Sequence, residues 1–203
     1  MKQVWTAILA IAVLTPALEA MAMAKAKKKK GTPSEQARLA ERIAKTRRRL
    51  AEVRVEQPAA RELEKSALDY LADAERRLAG NQYAQSDGLT KAADALTRAV
   101  DHIRHSLDLS RTDYPPREEQ SRRLEQAYFR LQQADYFQTQ SKDARARPLA
   151  RAARQFYQRA RQAYDHSDSR QTDEFTKVVE EVVKALEHLA HTATPVPIPP
   201  RLK

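Results

Sequence analysis

The chain has 203 residues, with 37 Lys and Arg against 27 Asp and Glu, a net charge of +10 and no cysteine. Without thiols there is no disulfide framework, no C-x-x-C-H haem attachment, no thiolate metal centre and no lipobox anchor. The charge excess favours anionic partners, and about 180 residues are enough to bury a core without covalent staples.

Residues 1–24 have the three-part layout of a secretory signal peptide. Met1-Lys2-Gln3 is a short basic start, Val4 to Leu14 is apolar, and Ala20-Met21-Ala22-Met23-Ala24 offers small-residue cleavage sites. A permanent span fits less well, because it needs about 20 apolar residues and this run carries Pro16 and Glu19. Lysines downstream of the apolar run oppose translocation, so the competing reading is an anchored cytoplasmic protein. The reading taken is export to the bacterial periplasm, with no membrane helix left after cleavage.

Cleavage leaves the net charge at +10, because it removes one base, Lys2, and one acid, Glu19. Residues 25–33 form a basic, flexible arm with Lys25, Lys27, Lys28, Lys29 and Lys30 ahead of Gly31. Between Lys25 and Gln57 twelve Lys or Arg face four Glu. The arm and Arg47, Arg48 and Arg49 are therefore the expected contact with an anionic partner. A second basic run extends from Arg145 to Arg161.

Beyond the arm, Ala, Leu, Glu, Gln and Arg dominate and predict helix throughout. The first helix follows Thr32-Pro33-Ser34-Glu35, a capping box with Pro at its first turn, and places Leu39, Ile43, Leu50 and Val53 on one face. The second follows Pro58, uses Leu63, Ala67, Tyr70, Ala74 and Leu78, and ends at Gly80-Asn81. The third begins at Ser86-Asp87 and carries Leu89, Ala93, Leu96, Val100, Ile103 and Leu107. After Tyr114-Pro115-Pro116 the plan returns. The fourth helix presents Leu124, Tyr128, Leu131, Ala134 and Phe137, and the fifth, from Pro148, presents Leu149, Ala153, Phe156, Ala160 and Tyr164. The sixth starts at a Thr172-Asp173 cap and presents Phe175, Val178, Val179, Val182, Leu186 and Leu189.

The return is an internal repeat. Leu89-Thr90-Lys91 and Asp101-His102-Ile103-Arg104-His105 match Phe175-Thr176-Lys177 and Glu187-His188-Leu189-Ala190-His191 at a constant offset of 86, reaching back to Tyr70 against Phe156. The expected fold is all-α: six antiparallel helices from a duplicated three-helix unit, spanning 34–112 and 116–193, in one elongated bundle or short stack. Residues 194–203 close the chain as a Pro-rich extended tail.

Four of the five histidines fall at repeat-equivalent positions. His102 and His105, like His188 and His191, are three residues apart and so share a helix face. Neutral imidazoles suit zinc, copper or nickel, and four of them would converge on one ion if the third and sixth helices met in the right sense. Duplication copies a surface His-x-x-His equally well, so the bland reading is a pair of solvated motifs. The doublets Tyr128-Phe129, Tyr136-Phe137 and Phe156-Tyr157 are interleaved with arginines. Core or dimer-seam packing explains them better than stacking on bases, and export argues against nucleic acid as a partner.

No Gly-rich phosphate loop, G-x-S-x-G elbow or H-E-x-x-H motif occurs. The function expected is therefore non-catalytic. The first reading is an exported envelope adaptor whose basic arm binds an anionic component or another protein, with a homodimer left open. The second is a periplasmic divalent-metal binder using the repeated histidine pairs.

Overall fold

A computed structural model of the protein describes residues 33–193 apart from Arg54 and Arg111. The leader, Lys25 to Lys30, Thr32 of the expected capping box and the Pro-rich tail lie outside the described residues. Within them the chain forms six helices: α1 (Pro33–Glu52), α2 (Pro58–Ala79), α3 (Tyr83–His105), α4 (Arg117–Gln140), α5 (Ala146–Asp165) and α6 (Ser169–Ala193). No strand occurs among the described residues. The all-α bundle holds, and none of these helices is long and apolar enough to cross a membrane.

The two chain reversals that matter most are built alike. After α2, the N–H of Gln82 bonds to the Arg77 carbonyl at 2.8 Å and that of Asn81 to Leu78 at 3.0 Å. This is a Schellman turn, with Asn81 left-handed at φ 59°. After α5, Asp168 bonds to Ala163 at 2.9 Å and Ser167 to Tyr164 at 3.0 Å, and Ser167 also has φ 59°. Asn81 and Ser167 are 86 apart. The left-handed residue is therefore Asn81, and Gly80 keeps an ordinary φ of −81°. The helices that follow begin earlier than their sequence signals, at Tyr83 and Ser169. At α6 the cap is Asp168, whose Oδ1 accepts the Gln171 N–H at 2.9 Å, so Thr172 and Asp173 already lie inside the helix. A cap of this kind contributes about 1 kcal/mol.

α3 and α6 are the central pair. α3 packs on α1, α2 and α6, while α6 packs on α4, α5 and α3. Each therefore buries more than one stripe: α3 adds Ala92, Ala95 and Ala99 to its expected face, and α6 adds Val183 and Ala185. Alanine lets two helix backbones approach closely, and one apolar cluster runs through all six helices without a break. Tyr70 and Phe156, at the offset of 86, are its largest fully buried side chains.

Two expected core positions are exposed, and Leu131, Phe137 and Tyr164 are only partly buried against the core. Leu107 follows the end of α3 and is half-exposed. Tyr128 is 47% exposed, because α4 is an outer helix that buries only Gln120, Leu124, Ala127 and Ala134. Its neighbour Phe129 is 67% exposed, so this doublet sends neither member into the core. The other two doublets divide, with Phe137 partly buried against the core and Phe156 fully inside it.

Candidate functional site

α3 and α6 run antiparallel along their seam. His102, near the end of α3, meets Glu174, near the start of α6, with Nδ1 2.7 Å from Oε2. Midway, the Arg98 Nε donates to Glu181 at 2.9 Å. At the far end Gly88 lies against Thr192 and the His188 carbonyl. This sense of packing decides the fate of the four histidines. His102 and His105 sit at one end of the seam and His188 at the other, about 21 Å away for fourteen helical residues. The convergence of four imidazoles on one ion is not made.

What the fold makes instead is a three-residue cluster. Ligand atoms of His102, His105 and Glu174 all lie within 4.8 Å of one another. Glu174 is fully buried, while the two histidines are partly buried. The Lys177 Nζ lies 3.3 Å from Glu174 Oε1 and 2.7 Å from Asp173 Oδ2. The Nε2 of His105 faces the Arg104 guanidinium at 3.1 Å. Its Nδ1 is sealed from solvent with no hydrogen-bond partner among the described residues. Sequence reasoning found the histidines and missed Glu174, which carries no local signal as a ligand.

The second pair has different surroundings. Burial, reinforced by Lys91, pushes the His188 imidazole below its usual pKa despite Glu187 and Asp87 nearby. His191 is exposed, with the Phe137 ring 6.5 Å from its own. His166, the fifth histidine, is exposed just after the end of α5.

Glu174 and Glu181 make the seam sensitive to acid. Burial would raise both carboxyls, but hydrogen bonds outweigh it, from His102 and Lys177 on Glu174 and from Lys184 and Arg98 on Glu181. Both are thus held below the usual value of 4.5. A lowered folded pKa gives stability that is fully present above the unfolded value and lost as pH falls through the folded one. The thermal midpoint should therefore fall as pH drops below about 4.5, and a Glu174→Gln, Glu181→Gln variant should show a flatter decline over that interval. Parallel curves for the two proteins would remove these carboxylates as the cause.

A second feature lies between α1 and α3. Arg38, Arg42, Lys45 and Arg49 follow one another at spacings of four, three and four, one residue ahead of buried Leu39, Ile43, Thr46 and Leu50 at each step. The basic stripe therefore borders the apolar one. With Lys91 of α3 it lines an open groove of about 620 Å³ whose only acids are Glu41 and Asp94. Some of this charge is internally compensated. Arg42 and Lys91 both pair with Asp87, and Arg49 lies 3.8 Å from Asp94. The offset of 86 reappears here, since Asp173 is held by Arg123 and Lys177. Of the arginines singled out from sequence, Arg49 lines the groove, Arg47 pairs with Glu75 at 3.1 Å, and Arg48 is exposed. Arg38, Arg42, Lys45 and Lys91 were missed; their four-three-four spacing was the available signal.

A third feature, a groove of about 590 Å³, opens between α4 and α5 beside Tyr128, Phe129, Tyr157 and Tyr164. Arg117 covers the Tyr164 ring at 4.6 Å.

Fold and sites together define an all-α helical bundle with an interhelical histidine–carboxylate cluster and a basic groove. No protein-family model matches the chain, and neither a curated protein nor a solved structure is significantly similar to it.

Proposed function

We propose that the chain is an exported, non-catalytic binding protein of the bacterial envelope that holds an anionic surface through α1 and the lysine-rich arm preceding it. The observation that carries this reading is the continuous basic stripe Arg38, Arg42, Lys45 and Arg49, about 16 Å long, bordering an open groove with Lys91 on its far wall. Arg38 and Lys45 make no ion pair with a described residue, so their charge is directed outward. Lys25 to Lys30 precede the same helix in sequence and add to its local potential. The leader layout supports export, and the absence of a catalytic motif supports binding as the mode of action.

The test is binding of the full chain to phosphatidylglycerol vesicles against phosphatidylcholine vesicles, at low and high salt. A basic residue near an anionic surface contributes about 1 kcal/mol. Arg38→Ala with Lys45→Ala should therefore weaken binding roughly 30-fold, from about 2 kcal/mol in total. Removing Lys25 to Lys30 should all but abolish it. Equal affinity for both vesicle types, or none at low salt, would defeat the proposal.

A further inference from the structure

We infer that His102, His105 and Glu174 form a divalent-metal site that takes a single zinc ion per chain and clamps the end of α3 to the start of α6. The site is separate from the basic groove, so its failure would leave the anionic-surface reading untouched.

Three observations carry it. The ligand set is chemically complete: two imidazoles and one carboxylate suit zinc, copper and nickel, and zinc sites with three protein ligands keep a fourth position for water. The geometry is near closure. A tetrahedral ion with bonds of about 2.1 Å spaces its ligands roughly 3.4 Å apart, and the ligand atoms here already lie within 4.8 Å of one another. The remaining excess is at most roughly 1.4 Å between any two ligand atoms. One polar atom also wants a partner: the His105 Nδ1 is buried with no hydrogen-bond partner among the described residues. Such a nitrogen is rare in a folded protein unless something satisfies it.

The surrounding charges are compatible with a cation. Lys177 keeps Asp173 at 2.7 Å as a partner if Glu174 turns to the ion. Arg104, beside His105, is paired with Asp101 at 2.8 Å. Asp101 also lies 3.9 Å from the His105 Nε2.

The repeat supplies the stoichiometry. The residue 86 positions before Glu174 is Gly88, so the end of the seam that holds His188 has no carboxylate at the equivalent place. A Cβ on Gly88 would run into the Thr192 methyl group, so that end is closed by packing. Two histidine pairs of similar sequence therefore give one site.

The experiment is calorimetric titration of the chelator-treated full chain with zinc sulfate. One ion per chain is expected. His102→Ala or Glu174→Gln should weaken binding at least 100-fold, while His188→Ala with His191→Ala should leave affinity within about threefold. His105→Ala is a third ligand variant that removes no described packing partner of the core, so a misfolded Glu174→Gln protein would not blunt the test. Proton NMR of the histidine rings should show zinc-induced shifts at His102 and His105 alone. Two ions per chain, an affinity unmoved by His102→Ala and His105→Ala, or equal loss in the His188/His191 variant would overturn the assignment.

Discussion

Phe156→Ala should cost about 3–5 kcal/mol of stability and lower the thermal midpoint by roughly 10 °C. Phe156 is 1% exposed, its ring lies 5.8 Å from that of Phe175, and the Arg159 guanidinium stands 5.3 Å over it. Its helix neighbours on the buried face are Ala153 and Ala160. Alanines cannot reach into the space a lost ring leaves, so the site collapses poorly and the cavity part of the cost stays near its upper end. Phe129→Ala is the contrast, because Phe129 is 67% exposed on α4 and its loss should change stability by less than about 0.5 kcal/mol. Circular dichroism melts of the two variants would check this. Similar midpoints for both would mean that α5 does not pack on α6 as described.

Arg145→Ala should cost about 2–3 kcal/mol, more than any other single change in the basic run from Arg145 to Arg161. The sequence places Arg145 in that run with nothing to set it apart from the other arginines. The structure instead folds it back on α2. Its guanidinium lies 4.1 Å above the Tyr70 ring and donates to Asp73 and Asp143, each at 2.7 Å. Removing it would uncover the ring and leave two carboxylates without their shared cation. These hydrogen bonds are charge-assisted, yet Arg145 is one-third exposed, so the lower end of the scale for buried networks applies. Arg145→Lys should recover less than half of the loss, because an ammonium can neither fork to two carboxylates nor stack on a ring. Arg151→Ala, at an exposed position on α5, should be near neutral. If Arg151→Ala and Arg145→Ala melt together, the tie between α2 and the α4–α5 connection is unimportant.

The helices were legible because their apolar spacing is regular. The expected faces of α2, α3 and α6 match the observed burial apart from Leu107, since packing on any side buries the same stripe. Less legible was α4, where the alternation of Leu124, Tyr128 and Leu131 suggested a core face. An outer helix buries only the positions its two neighbours reach, and Tyr128 falls in the groove between α4 and α5 instead. The extra stripe Ala92, Ala95 and Ala99 was visible as small residues but not as a seam. Nothing local distinguishes an alanine that touches a distant helix from one that faces water. Helix starts at Tyr83 and Ser169 were also missed, because the Schellman turns close through backbone bonds that leave few side-chain clues, Asn81 before α3 and the Asp168 cap before α6.

The sequence by itself determined that this chain is all-α, basic, free of thiols and patterned at an offset of 86 residues. Those properties follow from residue chemistry and periodicity, which act over a few turns of chain. Only the tertiary structure decided which charges are spent inside the fold and which histidines acquire a carboxylate. Both depend on the antiparallel sense of α3 against α6, which brings Glu174 to His102 and leaves Gly88 beside His188. Contacts between residues 72 positions apart have no local signature; they are set when the two central helices bury their apolar faces against each other.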